Sequence, residues 1–211
     1  MTKEMSDDKQ LYFRIHSGYV SVVGDLQETD SSQDKTIDLA YILLENEVIK
    51  ELRKGYKFLP LSKFRRHTKL LDAAQYCVIG FPEKNMKIED GKLRTGSSAY
   101  FVQPSKDKVY DYLKFSKEAC YIFDFKGKGS DINTGEIVKI NTEVYGISGC
   151  GVWLCILNQE GENIYTDFRL IGIMTEFNKD KYHCLIGNRI ELILSQLQTV
   201  GLIKYKEKNV G

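Results

Sequence analysis

Histidine, proline and tryptophan are scarce in this sequence, which has three, three and one of them among its 211 residues. No run approaches the roughly 20 apolar residues that span a bilayer, and the start, MTKEMSDDKQ, lacks the apolar core of a secretory signal. The formal net charge is +1, from 30 basic and 29 acidic residues, so no overall field favours a polyanion. We therefore expect a cytoplasmic globular protein without a nucleic-acid or membrane partner.

Paired cysteines at zinc-ligand spacing are also missing. The five cysteines are odd in number and lie mostly inside apolar runs: Cys77, Cys120, Cys150, Cys155 and Cys184. His183 adjoins Cys184, but no CxxC occurs, and zinc ligands usually come in pairs separated by two to four residues. The sequence predicts reduced, buried thiols, no metal site and no cofactor.

Short runs rich in β-branched and aromatic residues recur along the chain, separated by clusters of Gly, Asn, Asp or Ser. This pattern predicts a β-sandwich or β-barrel. The predicted strands are 11–15, 19–23, 37–44, 75–81, 99–103, 119–125, 137–140, 151–157, 168–175 and 182–186. The polar stretch 83–94 predicts an exposed hairpin or loop.

Two helices interrupt the strands. The first is predicted over 46–54, with Asn46 as its cap and Gly55 as its stop. The second carries an apolar stripe at i, i+3, i+4 and i+7, formed by Ile190, Ile193, Leu194 and Leu197. Asn188 followed three residues later by Glu191 predicts a capping box at its start.

The segment most suggestive of chemistry is 145–153, YGISGCGVW, a glycine-rich turn that leads into an apolar strand. A serine nucleophile needs its Oγ clear of the backbone, with main-chain N–H groups aimed at the developing oxyanion. Gly146 and Gly149 permit the required backbone angles around Ser148. An ordinary turn between two strands has the same composition. The GxSxG elbow of α/β-hydrolases fits less well, because position 150 is Cys and a strand follows instead of a helix.

This segment resembles the nucleophile motif GxSGGP of trypsin-like serine peptidases, and three other segments fall in that family's order. Residues 37–43, IDLAYIL, resemble the strand that carries the triad aspartate, and 77–82, CVIGFP, resemble the strand that opens the second barrel in HtrA-like intracellular bacterial members. Residues 170–174, LIGIM, resemble the strand that lines the specificity pocket. The resemblance covers about residues 11–199.

The resemblance implies an all-β, two-barrel trypsin-like serine peptidase fold with a C-terminal α-helix. Residues 1–72 then hold first-barrel strands, a helix and the connection between barrels, and 73–211 hold the second barrel and the final helix. It also implies that Ser148 is the nucleophile, that Asp38 is the triad acid, and that the N–H groups of Gly146 and Ser148 form the oxyanion hole. The chain departs from the motif at Cys150 and Gly151, where the family usually has Gly-Pro.

Asp38 heads an otherwise apolar strand, where a desolvated carboxylate needs a partner such as an imidazole N–H. The alternative is a turn aspartate, since the polar residues 34–36 come just before it.

The sequence departs most from the family pattern at the histidine of the triad. In the family the base precedes the aspartate, and here only His16 does, 22 residues before Asp38 and close behind a polar start. We expect His67 to lie on the solvated surface and His183 to pack as a neutral imidazole in a late strand. The spacing favours an incomplete first barrel, in either a fragment of a longer peptidase or a degenerate homologue with little or no activity. Unpaired strand edges would then favour self-association.

Three functions stay open at this point. The first is an endopeptidase that cleaves peptides or proteins through an acyl-enzyme on Ser148. The second is a non-catalytic pseudo-peptidase that holds an extended peptide or regulates another protein. The third is a β-barrel binding domain unrelated to peptidases, in which Asp38 and Ser148 lie far apart.

Overall fold

The computed structural model describes residues 11–15, 18–29, 34–83, 86–89, 92–125, 127–130, 137–139 and 144–204. Most of the regular structure is β. The strands are β1 Tyr12–Ile15, β2 Gly18–Ser21, β3 Gly24–Glu28, β4 Ala40–Leu44, β5 Gln75–Gly80, β6 Met86–Glu89, β7 Lys92–Thr95, β8 Ser98–Pro104, β9 Cys120–Asp124, β10 Lys128–Ser130, β11 Ile137–Lys139, β12 Gly151–Glu160, β13 Asn163–Asn178 and β14 Cys184–Arg189. The helices are α1 Asn46–Leu52, α2 Asp107–Leu113 and α3 Ile190–Thr199, with a 3₁₀ turn at Leu61–Lys63.

Six strands close into one antiparallel barrel in the order β12-β13-β14-β9-β8-β5. Alternate residues point inward, as the period of two requires. The interior is filled by large apolar and aromatic side chains, among them Tyr76, Val78, Val102, Tyr121, Phe123, Val152 and Leu185. The all-β prediction is confirmed, and the barrel provides the rigid frame for the Ser148 turn.

Two further clusters cover the outside of the barrel. Helix α2 packs Val109 and Tyr110 against the outward side chains of β9 and β14, including Ile122. Helix α3 packs Ile190 and Leu194 against Leu170 and the side chains around it. The predicted stripe of α3 is therefore confirmed as a docking face.

The chain before β5 forms two two-stranded sheets in its described part, β1 with β2 and β3 with β4. Helix α1 follows β4 and packs near β2. The connection to the barrel is held at β13, where the Arg65 amide donates to the Leu170 carbonyl at 2.9 Å and Phe64 bridges the same residue.

Every predicted strand overlaps an observed one, and the polar stretch overlaps the antiparallel pair of β6 and β7, as expected of a hairpin. Helix α2 was missed, because DKVYDYL is short and rich in residues of modest helix propensity. The predicted caps are wrong. Glu45 and Arg189 occupy the N-cap positions of α1 and α3, and neither makes a side-chain capping bond.

Cys77, Cys120 and Cys184 are buried as expected, and all five cysteines are free thiols. Burial raises the pKa of Cys77 and of Cys184 to about 12, and that of Cys120 to about 11. These three thiols are therefore protonated and unreactive at neutral pH. No helix in the described part of the chain is both long and apolar enough to cross a membrane.

Candidate active site

Two successive tight turns place Ser148 at the edge of the barrel. The Ile147 amide donates to the Val144 carbonyl at 3.4 Å, and the Cys150 amide donates to the Ile147 carbonyl at 3.0 Å. Gly146 and Gly149 hold the third position of each turn with φ of 85° and 83°. A type II turn requires a positive φ there, which is why both positions favour glycine.

Strand β13 anchors the turn from the other side. The Gly149 amide donates to the Met174 carbonyl at 2.7 Å, and the Met174 amide donates to the Cys150 carbonyl at 2.8 Å. Ile147 is buried in the barrel core, whereas Ser148 is exposed. The buried isoleucine thus holds the turn in place while its neighbour faces solvent.

The Ser148 hydroxyl donates to the Thr175 carbonyl at 3.1 Å. Among the described residues, the amides of Gly146 and Ser148 have no backbone acceptor. A Cβ at Gly146 would lie 3.1 Å from the Glu83 amide nitrogen and 3.2 Å from the Phe81 carbonyl oxygen. Both the close neighbours and the positive φ therefore favour glycine at position 146. Within the described structure, the amides of Gly146 and Ser148 are free to bind an oxyanion.

Cys150, where the sequence departs from the family motif, packs into a space that a glycine leaves open. A Cβ at Gly80 in β5 would lie 2.2 Å from Cys150 Sγ. The cysteine is therefore accommodated against β5, in the space that Gly80 leaves open.

Asp38 lies two residues before β4 and is exposed. The predicted desolvated carboxylate at the head of a strand is wrong, because the strand begins only at Ala40. The Asp38 amide donates to Asn188 Oδ1 at 2.8 Å. The residues before it form the expected polar turn, in which the Thr36 amide donates to Asp34 Oδ1 at 2.9 Å.

Asn188 connects the Asp38 segment with the strand beside Ser148. Asn188 lies on β14, where it pairs with Ile173 of β13. Two residues after Ile173 comes Thr175, whose carbonyl accepts the hydrogen bond from the Ser148 hydroxyl. The Asp38 segment and the Ser148 turn therefore both contact the same end of the β13/β14 pair.

Neither described histidine hydrogen-bonds to Ser148 or Asp38. His67 is 8% exposed, and its Nε2 lies 2.8 Å from the Tyr76 hydroxyl. Burial, with Arg65 and Arg189 nearby, lowers the pKa of His67 from 6.5 to about 4. His183 is exposed and precedes β14. Both predictions are wrong, since His67 is the buried histidine and His183 the solvated one. His16 lies outside the described residues.

No family model, curated protein or solved structure matches the chain. The likeness to trypsin-like peptidases therefore depends on the motifs and on the arrangement of the turn. Among the residues that the structure describes, no group of three or more His, Cys, Asp or Glu side chains could hold a metal ion.

Two features of the site were not predicted. Asn188 was interpreted as a helix cap, yet it is 0% exposed and acts inside the fold. Lys179 extends to Tyr145, three residues before Ser148, with its Nζ 2.7 Å from the Tyr145 hydroxyl. Lys179 lies just beyond the end of β13 at Asn178, and no local pattern indicated that it would reach Tyr145.

Proposed function

We propose that the chain is a trypsin-like serine endopeptidase module whose substrate is a peptide or protein in the cytoplasm. The observation that carries the proposal is the exposed Ser148 on a double glycine turn with two amides free of backbone acceptors in the described structure. Asp38 is proposed as the triad acid and Gly146 as an oxyanion donor, together with the Ser148 amide.

The chemistry follows from these positions. Ser148 Oγ attacks the scissile carbonyl carbon, and its proton passes to an imidazole. The carbonyl oxygen becomes an oxyanion that the amides of Gly146 and Ser148 stabilise. The C–N bond then breaks, the imidazole returns the proton to the amine, and the acyl group stays on Ser148 until water releases it. In the family's order the base precedes the acid, and His16 is the histidine of this sequence that does so.

The finer fold assignment belongs to the same proposal. The closed barrel with α3 is proposed as the second barrel of a two-barrel peptidase, from residue 73 onward. The β1/β2 and β3/β4 hairpins are proposed as strands of the first barrel, within 1–72. Arg65 and Phe64 at β13 support a connection that packs directly against the second barrel.

A second function, a non-catalytic pseudo-peptidase, is favoured by one observation. Among the described residues, the Ser148 hydroxyl donates a hydrogen bond to the Thr175 carbonyl, and neither His67 nor His183 accepts from it. A serine without an aligned base is a poor nucleophile, and the same groove can still hold an extended peptide.

Labelling with a fluorophosphonate separates the two functions, because this reagent phosphonylates only activated serines. We expect one adduct per chain by intact mass, lost in Ser148→Ala and retained in Ser195→Ala, the matched control at an exposed serine of α3. Asp38→Asn and His16→Ala should each slow labelling by about 10⁴-fold or more, the size typical for loss of a triad member.

Each other outcome is equally informative. Undiminished labelling in Ser148→Ala overturns the role of Ser148. No labelling combined with saturable peptide binding selects the pseudo-peptidase. Absence of both labelling and peptide binding overturns both functions.

A further inference from the structure

A lysine is fixed beside the Ser148 turn. Lys179 Nζ lies 2.7 Å from the Tyr145 hydroxyl, 4.3 Å from the centre of the Tyr145 ring and 5.7 Å from the centre of the Phe177 ring. An ammonium group over aromatic faces is attracted by their quadrupoles. This lysine is therefore positioned by three contacts.

The rings beneath the ammonium group are supported by the barrel. Phe177 packs edge-to-face on Phe125 with ring centres 5.6 Å apart, and Phe125 packs on Tyr100 at 5.5 Å. Phe125 and Tyr100 are buried in the core. The aromatic stack fixes one wall of the space next to the turn.

Glu176, which lies three residues before Lys179 in the sequence, does not neutralise this lysine. Successive residues of a strand face opposite sides, so Glu176 lies across the strand from Phe177. Its carboxylate acts instead on the Cys184 thiol, whose pKa is raised first by burial and then by Asp124 and Glu176. Among the described residues, no carboxylate forms an ion pair with Lys179.

Ser148 lies within reach of this cation. Tyr145 lies three positions before Ser148, which limits the distance between their Cα atoms to about 11 Å. Tyr145 is 60% exposed, so a ligand can approach both its hydroxyl and the ammonium group. A peptide carbonyl at Ser148 would bring its own side chain toward Tyr145 and Lys179.

We propose that Lys179, held by Tyr145 and Phe177, is the specificity-determining residue of the site and selects an acidic side chain on the residue that precedes the scissile bond. The inference rests on the proposed function, because it assumes that an extended peptide occupies the Ser148 turn. The ligand class is a peptide with Glu or Asp at that position.

Peptide binding to the full chain with Ser148→Ala tests the selection without any turnover. Fluorescence anisotropy compares labelled peptides of one sequence that differ only by Glu, Gln or Lys at the selected position. We expect the Glu peptide to bind about 5- to 10-fold more tightly than the Gln peptide, the size of a charge-assisted hydrogen bond. Added salt should shrink this ratio.

Substitutions at Lys179 test whether this residue causes the preference for the Glu peptide over the Gln peptide. Lys179→Met should bring the Glu/Gln ratio to about one, and Lys179→Glu should make the Lys peptide the tighter ligand. Lys181→Met is the matched control, because this exposed lysine contacts Tyr112 and Tyr182 instead, and it should retain the ratio.

The possible failures are distinguishable. Equal binding of the three peptides, or a ratio that survives Lys179→Met, overturns the selection and leaves the proposed function standing. Absence of saturable binding for all three peptides overturns the selection and the proposed peptide site together.

Discussion

Asn188 is the residue through which the barrel reaches the segment that carries Asp38. Its Oδ1 accepts from the Asp38 amide at 2.8 Å, and its Nδ2 donates to the Thr36 carbonyl at 3.0 Å. The same Nδ2 lies 3.1 Å from Cys120 Sγ. A fully buried amide with these partners acts as a clamp, because each group it binds would otherwise lose a partner.

Asn188→Ala should lower the free energy of unfolding by about 2 kcal/mol, the cost of leaving buried donors and acceptors unpaired. Urea unfolding at neutral pH measures the change. Asn158→Ala is the control, because its side chain makes only a long bond of 3.4 Å to the Ile156 carbonyl, and it should stay within about 0.5 kcal/mol of the wild type. A similar stability of the Asn188 variant and the control would contradict the clamp.

At the scale of single residues, the sequence could identify the Ser148 turn but not its surroundings. Gly146, Ser148 and Gly149 form a local pattern, and local backbone requirements are visible in local sequence. Asn188 and Asp38 are 150 residues apart, and no local pattern indicates that a strand residue will bind a distant amide. The same limit explains why His67 and His183 exchanged their expected places.

At the scale of secondary-structure elements, the Ser148 turn packs against the end of strand β5. Its contact is the pair Gly80 and Cys150, where a Cβ at position 80 would lie 2.2 Å from Cys150 Sγ and 3.0 Å from Cys150 Cβ. Interiors packed to this density do not absorb an added methyl group without a shift of side chains or backbone. The position of the turn is therefore coupled to the end of β5.

Gly80→Ala should lower the free energy of unfolding by about 1–3 kcal/mol, as overpacking of a filled core does. Adding Cys150→Ala should recover most of that loss, because it removes the closest atom. Gly55→Ala is the matched control, since a Cβ there would have no neighbour closer than 3.7 Å, and its change should be small. Thermal or urea unfolding of the wild type, Gly80→Ala, Cys150→Ala, the double variant and the control checks the coupling, and additive losses in the double variant would contradict it.

Elements were predicted well where the hydrophobic period is long and clear. The stripe of α3 repeats over two turns, and its residues Ile190 and Leu194 are buried as the pattern indicates. The start of α3 was not predictable, because Asn188 and Glu191 match a capping box while burial draws both into other contacts. Helix α2 has only seven residues, too few for a periodic signal.

At the scale of the whole molecule, a buried polar network joins the connection between sheets to the barrel and to α3. The His67 carbonyl accepts from Arg189 Nη2 at 2.5 Å and from the Tyr121 hydroxyl. Arg189 Nε lies 2.8 Å from Glu191 Oε1, so the network extends into the first turn of α3. Its one histidine is buried among arginines and neutral at physiological pH, which makes the stability of the whole fold sensitive to acid.

The sign of this sensitivity follows from the two protonation states. In the unfolded chain His67 takes up a proton near its usual pKa of 6.5, whereas in the folded chain the pKa is about 4. The unfolded state thus binds more protons between these values, and stability falls as pH falls from about 6.5 to about 4. A shift of this size corresponds to about 3 kcal/mol. Glu191 opposes the trend, because burial raises its pKa and the protonated acid favours the fold at low pH.

A comparison with His67→Gln isolates the histidine, because the two proteins share every other titrating group. Between pH 7 and pH 4.5 the wild type should lose about 2–3 kcal/mol more of its unfolding free energy than His67→Gln does, as measured by urea unfolding at each pH. Glutamine retains a polar group near the Tyr76 hydroxyl but takes up no proton. His183→Gln, at an exposed histidine, should follow the wild-type curve. Parallel curves for the wild type and His67→Gln would show that His67 does not couple acid to the fold, and that the network is stabilised by the carbonyl contacts of His67 alone.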